Sequence, residues 1–252
     1  MKARRSTKNV LAPLIVLVVL LIGLELIIKA FNISRQVLPA PSAILSVCAK
    51  EFKVNIWSHL IVTLKVIITG FIVGVPIGIF CAALLSQFKI LEKAFSPYVI
   101  MLVTTPFIIL VPIFMLWLGF GLNVRILAVI LQTIPIVMLN SLSGFNNVEK
   151  VKLDLMNSLG ATKVQTFIKV IFPNALPQVF TGIKLGGIFS TIAAVSAEFA
   201  GAQTGLGNRI MYFSSFIETE LAFGCILIIA LIGITLFNLT SMVERKIIIW
   251  KK

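Results

Sequence analysis

The chain has 252 residues, of which 59% are hydrophobic and only 12% are charged, and its mean hydropathy is +1.08. This composition excludes an ordinary water-soluble domain and predicts a protein that lies largely within a lipid bilayer. A net charge of +13 is also found in nucleic-acid-binding proteins. Here the basic residues lie between long apolar segments, so contact with anionic lipid headgroups explains the charge and no nucleic acid is expected.

Six apolar segments are long enough to cross the hydrocarbon core of a membrane, which requires about 20 residues. Backbone groups in lipid must bond to one another, and the segments are continuously apolar rather than alternating. Each segment is therefore predicted to be a helix and not a barrel strand. The first resembles a signal peptide, but its apolar run is too long and no cleavage pattern follows it, so we interpret it as a retained helix. In chain order the predicted spans are 10–28, 66–88, 94–122, 126–148, 185–208 and 221–243.

Small residues and prolines give two of these spans a special character. Gly70, Gly74 and Gly78 form overlapping GxxxG steps in the second span, which predicts a close approach to another helix. That contact is either simple helix packing or, if the helices enclose a path through the membrane, part of a face that closes it. Pro106 and Pro112 fall in the third span, which is therefore predicted to be the most irregular helix.

The distribution of lysine and arginine predicts the orientation of the chain in the membrane. With six spans, both termini share one side, and that side carries 14 of the 22 basic residues against six on the opposite side. The excess places both termini and a long loop at about 145–181 in the cytoplasm. The chain is expected to be a single membrane domain of residues 1–252, located in a bacterial-type cell membrane.

The sequence lacks the residues that catalysis on ATP would require. It contains no Gly-Lys dipeptide and hence no P-loop, and His59 is its single histidine. Cys48, Cys81 and Cys225 are scattered and suggest neither a disulfide framework nor a metal site. We therefore expect no enzymatic activity and no cofactor, and we expect any ATP hydrolysis to take place in another polypeptide.

Two charged residues lie in the outer parts of predicted spans. Lys65 in the second span and Glu198 in the fifth are placed at similar depth by the topology. Charges in hydrocarbon are costly unless they are paired or hydrated, so both are predicted to face the bundle interior and to interact directly or through water. The pair either fixes helix register or, if the bundle encloses a translocation path, lines that path or its gate. Lys184 is predicted to reach the cytoplasmic interface.

The long loop contains a polar pattern of two short helices around Gly160 and Ala161. Thr162 and Gln165 have the spacing of a capping box at the start of the second helix. Pro173 and Pro177 are predicted to end that helix. Its apolar face consists of four residues with helical spacing, Val164, Phe167, Ile168 and Ile171.

This loop resembles the coupling loop of importer-type ABC-transporter permeases, whose pattern is E-A-A, three residues, Gly, nine residues, I-x-L-P. The slots are filled by Asp154-Leu155-Met156, Gly160, Val170 and Phe172-Pro173. The glycine, the proline and their spacing match, whereas the two alanines are replaced by larger residues. Further stretches, 38–42, His59-Leu60 and 197–207, resemble the nitrate/sulfonate/taurine permease group, which includes relatives thought to carry pyrimidine precursors. The similarity extends from about residue 35 to about residue 240.

The resemblance implies an all-α polytopic fold of the type I ABC importer kind, with six transmembrane helices and a cytoplasmic coupling helix pair. It also implies a permease homodimer, two ABC ATPase subunits, an external substrate-binding protein and alternating access to a path for a small solute (sulfonate, taurine, nitrate or pyrimidine-type). The alternatives are a permease of another ABC importer subfamily and a stand-alone carrier or channel. The apolar face of the second loop helix is expected to pack either in a groove of the ATPase or against the permease's own helix ends. The residues that the resemblance assigns to ATPase coupling are Asp154, Gly160, Ala161, Val164, Phe167, Ile168 and Pro173.

Overall fold

The structure is a computed structural model that describes residues 8–105 and 107–250. Every regular element in this part of the chain is helical, as predicted. Two π-helical turns, Phe52–Ile56 and Phe167–Ile171, interrupt otherwise continuous helices. The α-helices are α1 (Lys8–Ala30), α2 (Pro41–Glu51), α3 (Trp57–Gln87), α4 (Lys89–Thr104), α5 (Phe107–Leu118), α6 (Leu122–Asn146), α7 (Lys150–Ser158), α8 (Lys163–Thr166), α9 (Phe172–Phe199), α10 (Leu206–Ser215) and α11 (Thr219–Ile247).

The helices account for the predicted spans, although the bounds of each helix differ from those predicted. Within the described residues, four helical stretches are long and apolar enough to cross a membrane: Pro41–Gln87, Leu122–Asn146, Lys163–Phe199 and Thr219–Ile247. The pair α4 and α5, which is bent by 96°, makes a fifth if it counts as one span. Helix α1, with 23 residues, covers the first predicted span.

The third predicted span is irregular, as its prolines indicate. Helix α4 ends at Thr104, and Thr105 adopts an extended conformation with ψ 124°. A residue that precedes proline is disfavoured in the helical region, because the proline ring clashes with its backbone. Pro106 itself lies outside the described residues, and Pro112 lies within α5.

The fifth predicted span, 185–208, is wrong at both ends. The helix that contains it begins before residue 185 and ends at Phe199, and a loop leads to α10. Gly201 and Gly205 have φ values of +124° and +117°, which L-residues with side chains rarely adopt. These glycines turn the chain back on itself, so that α10 packs beside α9 instead of extending it.

Close contacts between α3, α6 and α9 form the centre of the bundle. Gly70 and Gly74 of α3 lie so near α6 that an added Cβ would stand 2.5 Å from the Cβ of Val129 and 2.9 Å from that of Thr133. Helix α9 approaches α6 as closely, because an added Cβ at Gly182 would stand 2.9 Å from the Cβ of Asn140. Helix α6 therefore packs against the small residues of both neighbours, and the predicted close approach of the GxxxG helix is confirmed.

Candidate functional site: the coupling hairpin and the Glu198 cluster

The first turn of the loop is made by Gly160, as the sequence predicts. Its φ of +69° follows helix α7, and the N–H of Ala161 donates to the carbonyl of Met156 at 3.0 Å. The N–H of Gly160 donates to the carbonyl of Asn157, also at 3.0 Å. This pair of bonds is the Schellman arrangement, which needs a left-handed residue and therefore favours glycine.

The second helix begins with the predicted capping box. The Thr162 hydroxyl accepts from the N–H of Gln165 at 3.2 Å, and the Gln165 amide oxygen accepts from the N–H of Thr162 at 2.8 Å. Two backbone donors at the helix start are thus satisfied by local side chains. Helix α7, the connection, helix α8 and the π-helical turn that continues α8 form what we call the coupling hairpin, residues 150–171.

The prediction that Pro173 and Pro177 end the second helix is wrong. The chain stays helical from Lys163 to Phe199, with the π-helical turn Phe167–Ile171 inside this stretch. A proline removes one helical hydrogen bond and its ring clashes with the carbonyl four residues earlier. The π-helical turn Phe167–Ile171, directly before Pro173, widens the helix and shifts the carbonyls out of α-helical register. Burial of the following helix in the bundle then holds the continuous helix together.

The apolar face of the second helix is divided between two surroundings. Phe167 lies against Phe145 of α6, with ring centroids 5.3 Å apart, and Ile171 packs on the same buried cluster. Val164 and Ile168 are exposed. Half of this face therefore packs against the protein's own helices, which is one of the two targets predicted. The other half stays free for the second predicted target, a groove of a partner.

Large apolar side chains cover the outside of the coupling hairpin. Each of them is between 59% and 76% exposed, although the loop that carries them is rich in lysine. They come from both helices and from the turn between them. We call this surface the exposed hairpin face, and its members are Val151, Leu155, Leu159, Val164 and Ile168.

Asp154 and Pro173 contribute differently from the apolar residues. Asp154 is exposed at the fifth position of α7, beyond the first turn in which a carboxylate stabilises a helix N-terminus. The acidic residue at the N-terminus is Glu149, which forms an ion pair with Lys152 at 3.0 Å. Pro173 is half-buried and lines a groove beside α7 together with Met156. Asp154 therefore stays accessible to a partner, whereas Pro173 lines a groove that Leu155 of the exposed hairpin face also borders.

At the opposite end of the bundle, Glu198 is the centre of a buried polar cluster. The residue is only 1% exposed. Its carboxylate accepts from the Thr63 hydroxyl at 2.8 Å and from the N–H of Gly207 at 2.8 Å. The Thr63 oxygen in turn accepts from the N–H of Leu206 at 2.8 Å. Buried polar groups are stabilising only when they are bonded in this way, so the cluster firmly joins α3, α9 and the start of α10.

The positive charge that faces Glu198 comes from Arg125 of α6. Its guanidinium lies 4.0 Å from the Glu198 carboxylate and donates to the Thr204 carbonyl at 2.7 Å. His59 of α3 lies next to this pair, within 3.0 Å of the N–H of Gly205 and 2.8 Å of the Arg209 guanidinium. These contacts bring α6 and the 200–205 loop into the cluster, which we call the Glu198 cluster.

The predicted contact between Lys65 and Glu198 is wrong. Lys65 is exposed on α3, while Thr63, two residues earlier, faces the carboxylate. Residues two positions apart in a helix point in different directions, whereas His59 and Thr63, four apart, share one face. Arg125 lies just before the fourth predicted span, 126–148, but in the structure it belongs to α6. A basic residue directly beside an apolar span is the sequence signal that could have identified it as a partner for Glu198.

Two other charges near the ends of the spans also have partners. Lys184 forms an ion pair with Glu244 of α11 at 2.9 Å. Both side chains are half-buried, so the lysine has an acidic partner on a neighbouring helix. Glu25 lies 3.1 Å from Lys29 and accepts from the Ser42 hydroxyl at 2.7 Å. These pairs fix α9 against α11 and α1 against α2.

Comparison with known proteins agrees with this architecture. The family model described as "Binding-protein-dependent transport system inner membrane component" matches residues 74–249, which include the coupling hairpin and most of the Glu198 cluster. The formylaminopyrimidine transport permease protein ThiX of Halalkalibacterium halodurans is 29% identical over 85% of this chain and 86% of its own length. The putative aliphatic sulfonates transport permease protein SsuC of Bacillus subtilis is 30% identical over 87% of this chain and 80% of its own length.

Among solved structures, the fold is similar to that of an inward-facing MetNI methionine ABC transporter. The TM-score is 0.62 at 18% identity, and the match covers 77% of this chain and 94% of the other. The family match extends over well over half of the chain, and the helical pattern and the loop motif agree with it. The chain therefore belongs to the binding-protein-dependent transport system inner membrane components, the permease subunits of ABC importers.

Proposed function

We propose that two copies of this permease enclose a path for a small solute, and that two ABC ATPase subunits drive it by binding the exposed hairpin face. An extracytoplasmic binding protein delivers the solute. The names of relatives that transport formylaminopyrimidine, aliphatic sulfonates or taurine support a pyrimidine-, sulfonate- or taurine-type solute, and nitrate is included only because of the sequence resemblance. Each copy contributes one membrane domain with the coupling loop at one end.

The observation that carries this proposal is the apolar surface on the coupling hairpin. Fully burying one large aliphatic side chain yields about 1.5–3 kcal/mol, so five such residues offer a partner a substantial driving force. A short amphipathic helix that presents apolar residues to a groove is a common mode of recognition. Lys150 and Lys163 are exposed nearby, so the groove of the ATPase is expected to have an acidic rim.

Gly160 and Ala161 determine the angle at which the two hairpin helices meet the ATPase. Val164 and Ile168 provide direct contact, and Phe167 transmits the motion because it is packed on Phe145 of the bundle. A displacement of the hairpin by the ATPase is therefore passed to α6 and α9. This is the movement of one packed element against another that alternating access requires.

The positive-inside distribution supports a cytoplasmic location for the hairpin and for both termini. The Glu198 cluster then lies toward the external side. We assign it to the outer gate, where it holds α3, α6 and α9 together when that end is closed. Lys65 is exposed near the same end of α3 and is assigned to the lining of the path.

Co-purification tests the proposed partnership. The full-length chain, carrying an affinity tag, is expressed with the ABC ATPase and the binding protein of its own transport system and extracted in mild detergent. We expect two ATPase subunits for every two permease chains, and ATP hydrolysis that rises when loaded binding protein is added. A correctly inserted permease that retains no ATPase would contradict the proposal.

A further inference from the structure

A wide cleft lies between the C-terminal end of α1 and the start of α2. Its volume is about 650 Å³, which is within the range for pockets that hold small ligands. The turn after α1 forms one wall, because Asn32 has a left-handed φ of +48° and the N–H of Ile33 donates to the carbonyl of Ile28 at 3.1 Å. This Schellman arrangement ends the helix and reverses the chain, so that α2 returns beside α1 and forms the opposite wall.

The cleft lies at the level where lipid headgroups begin. The first predicted span ends at residue 28, and the charged residues of the cleft, Glu25, Lys29 and Arg35, lie within seven residues of that boundary. Deeper in the span, residues 15–22 are large and apolar, and each of them is at least 43% exposed. Among the described residues, α1 contacts the bundle mainly through α2. Lipid chains can therefore lie along α1, with their headgroups at the cleft.

The acidic residue of the cleft is already bonded within the protein. Glu25 accepts from the Ser42 hydroxyl at 2.7 Å and from the Ser42 N–H at 3.1 Å, and it forms an ion pair with Lys29 at 3.1 Å. The Ser46 hydroxyl also has a partner, since it donates to the carbonyl of Ala43 at 3.0 Å. The Glu25 carboxylate therefore stabilises the wall and orients the lysine, and it has little capacity left for a cationic ligand.

The basic residues of the cleft, in contrast, have donors to spare. The Lys29 ammonium has three N–H donors and bonds to one acceptor, Glu25. Arg35 is exposed, and its guanidinium with five N–H donors forms no ion pair within the part of the chain that the structure describes. Two positive charges and one negative charge give the described wall a net charge of +1. A ligand that matches the cleft is therefore an anion with several acceptor oxygens.

We propose that this cleft binds the phosphodiester headgroup of an anionic phospholipid such as phosphatidylglycerol. A phosphodiester carries one negative charge, which neutralises the wall, and its oxygens accept from Lys29 and Arg35. Arginine suits this contact because its planar guanidinium matches two phosphate oxygens. The acyl chains lie along the exposed apolar side of α1 and add binding energy that a soluble phosphate lacks. The bound lipid fills the gap between α1 and α2 and so joins the first span to the bundle.

Native mass spectrometry of the full chain in detergent tests the site. Phosphatidylglycerol and phosphatidylcholine are titrated separately, and the first bound lipid gives a dissociation constant for each. We expect phosphatidylglycerol to bind at least about fivefold more tightly, because only its headgroup carries a net negative charge. Arg35→Gln should weaken the binding of phosphatidylglycerol about fivefold, the effect of losing one exposed charged contact. Arg35→Lys keeps the charge and should weaken it less.

Lys53→Gln is the matched control for the loss of charge. It removes one exposed positive charge from the π-helical turn that follows α2, outside the cleft, and it should bind phosphatidylglycerol as the unchanged chain does. Inorganic phosphate, added as a competitor, distinguishes a lipid from a soluble anion. We expect it not to displace the lipid, because it lacks acyl chains.

Four results would overturn the inference. They are equal affinity for the two lipids, equal phosphatidylglycerol affinity in Arg35→Gln and the unchanged chain, an equal loss of affinity in Lys53→Gln, and displacement of the lipid by inorganic phosphate. The inference depends on the position of α1 in the membrane and not on the ATPase. Any of these results would therefore leave the proposed function standing.

Discussion

Replacement of Gly160 by valine isolates the contribution of the hairpin turn. An added Cβ at this position meets nothing within 4 Å, so the substitution creates no steric clash. Its effect comes from the φ of +69°, which costs a residue with a side chain about 1–2 kcal/mol and is least favourable for a β-branched residue. A penalty of this size reduces the population of the native turn roughly 5- to 30-fold.

The assay is ATP hydrolysis by the complete transporter in nanodiscs, with and without loaded binding protein. We expect Gly160→Val to lower the stimulated rate several-fold and to leave membrane insertion unchanged, because the residue is exposed and outside the predicted spans. Gly160→Asn is the matched control, since asparagine tolerates the left-handed conformation, and it should retain most of the stimulation. Equal stimulated rates in the valine variant, the asparagine variant and the unchanged chain would refute the role of the turn.

Three further substitutions test other parts of the structure. Val164→Asp should reduce the amount of co-purified ATPase at least tenfold, because it places a charge in an apolar contact. The control Ile90→Asp changes an exposed residue outside the hairpin and should leave that amount unchanged, so equal amounts from the two variants would contradict the docking surface. Glu198→Ala should lower the free energy of unfolding by about 3–5 kcal/mol, because the buried guanidinium of Arg125 loses its charge partner, and Glu198→Gln should lower it less. An unchanged melting temperature in nanodiscs would show that the cluster contributes little to stability. Gly70→Ala should destabilise the bundle, because its Cβ would lie 2.5 Å from a side chain of α6. The control Gly23→Ala should not, because its Cβ would meet nothing within 4 Å. Equal melting temperatures of the two variants would contradict the close packing of α3 on α6.

Features that depend on local chemistry are the ones that the sequence predicts well. The turn at Gly160 and the cap formed by Thr162 and Gln165 each depend on residues within a few positions of one another. The packing of the glycine face of α3 is also predictable, since small residues at every fourth position permit close approach wherever the second helix lies.

Features that depend on contacts between distant segments could not be predicted in the same way. The sequence identifies Glu198 as a charge within a span, but its partner Arg125 is 73 positions away on α6, and it lies just outside the span that hydropathy predicts there. Lys65 was chosen for its depth, although its direction around the helix carries it away from the cluster. The depth of a residue in the membrane can be inferred from its position along a span. The side of the helix that faces the bundle, however, depends on which other helices surround that span.

The prolines of the second hairpin helix illustrate a different limit. Pro173 is expected to end a helix on local grounds, but a π-helical turn and the burial of α9 offset its cost. Insertion of one residue into a helical turn also changes which side chains share a face. That change explains why Phe167 and Ile171 turn toward the bundle while Val164 and Ile168 remain outside.

The most direct test of the central claim is photo-crosslinking in intact cells from position 164 of the hairpin. A photoreactive phenylalanine analogue replaces Val164 in the full chain, and the same analogue at the exposed residue Ile90 serves as the comparison. The account predicts an adduct between the permease and its ABC ATPase from position 164 that is absent or much weaker from position 90. It would be contradicted if position 164 formed no ATPase adduct, or if it reacted only with lipid or with the external binding protein.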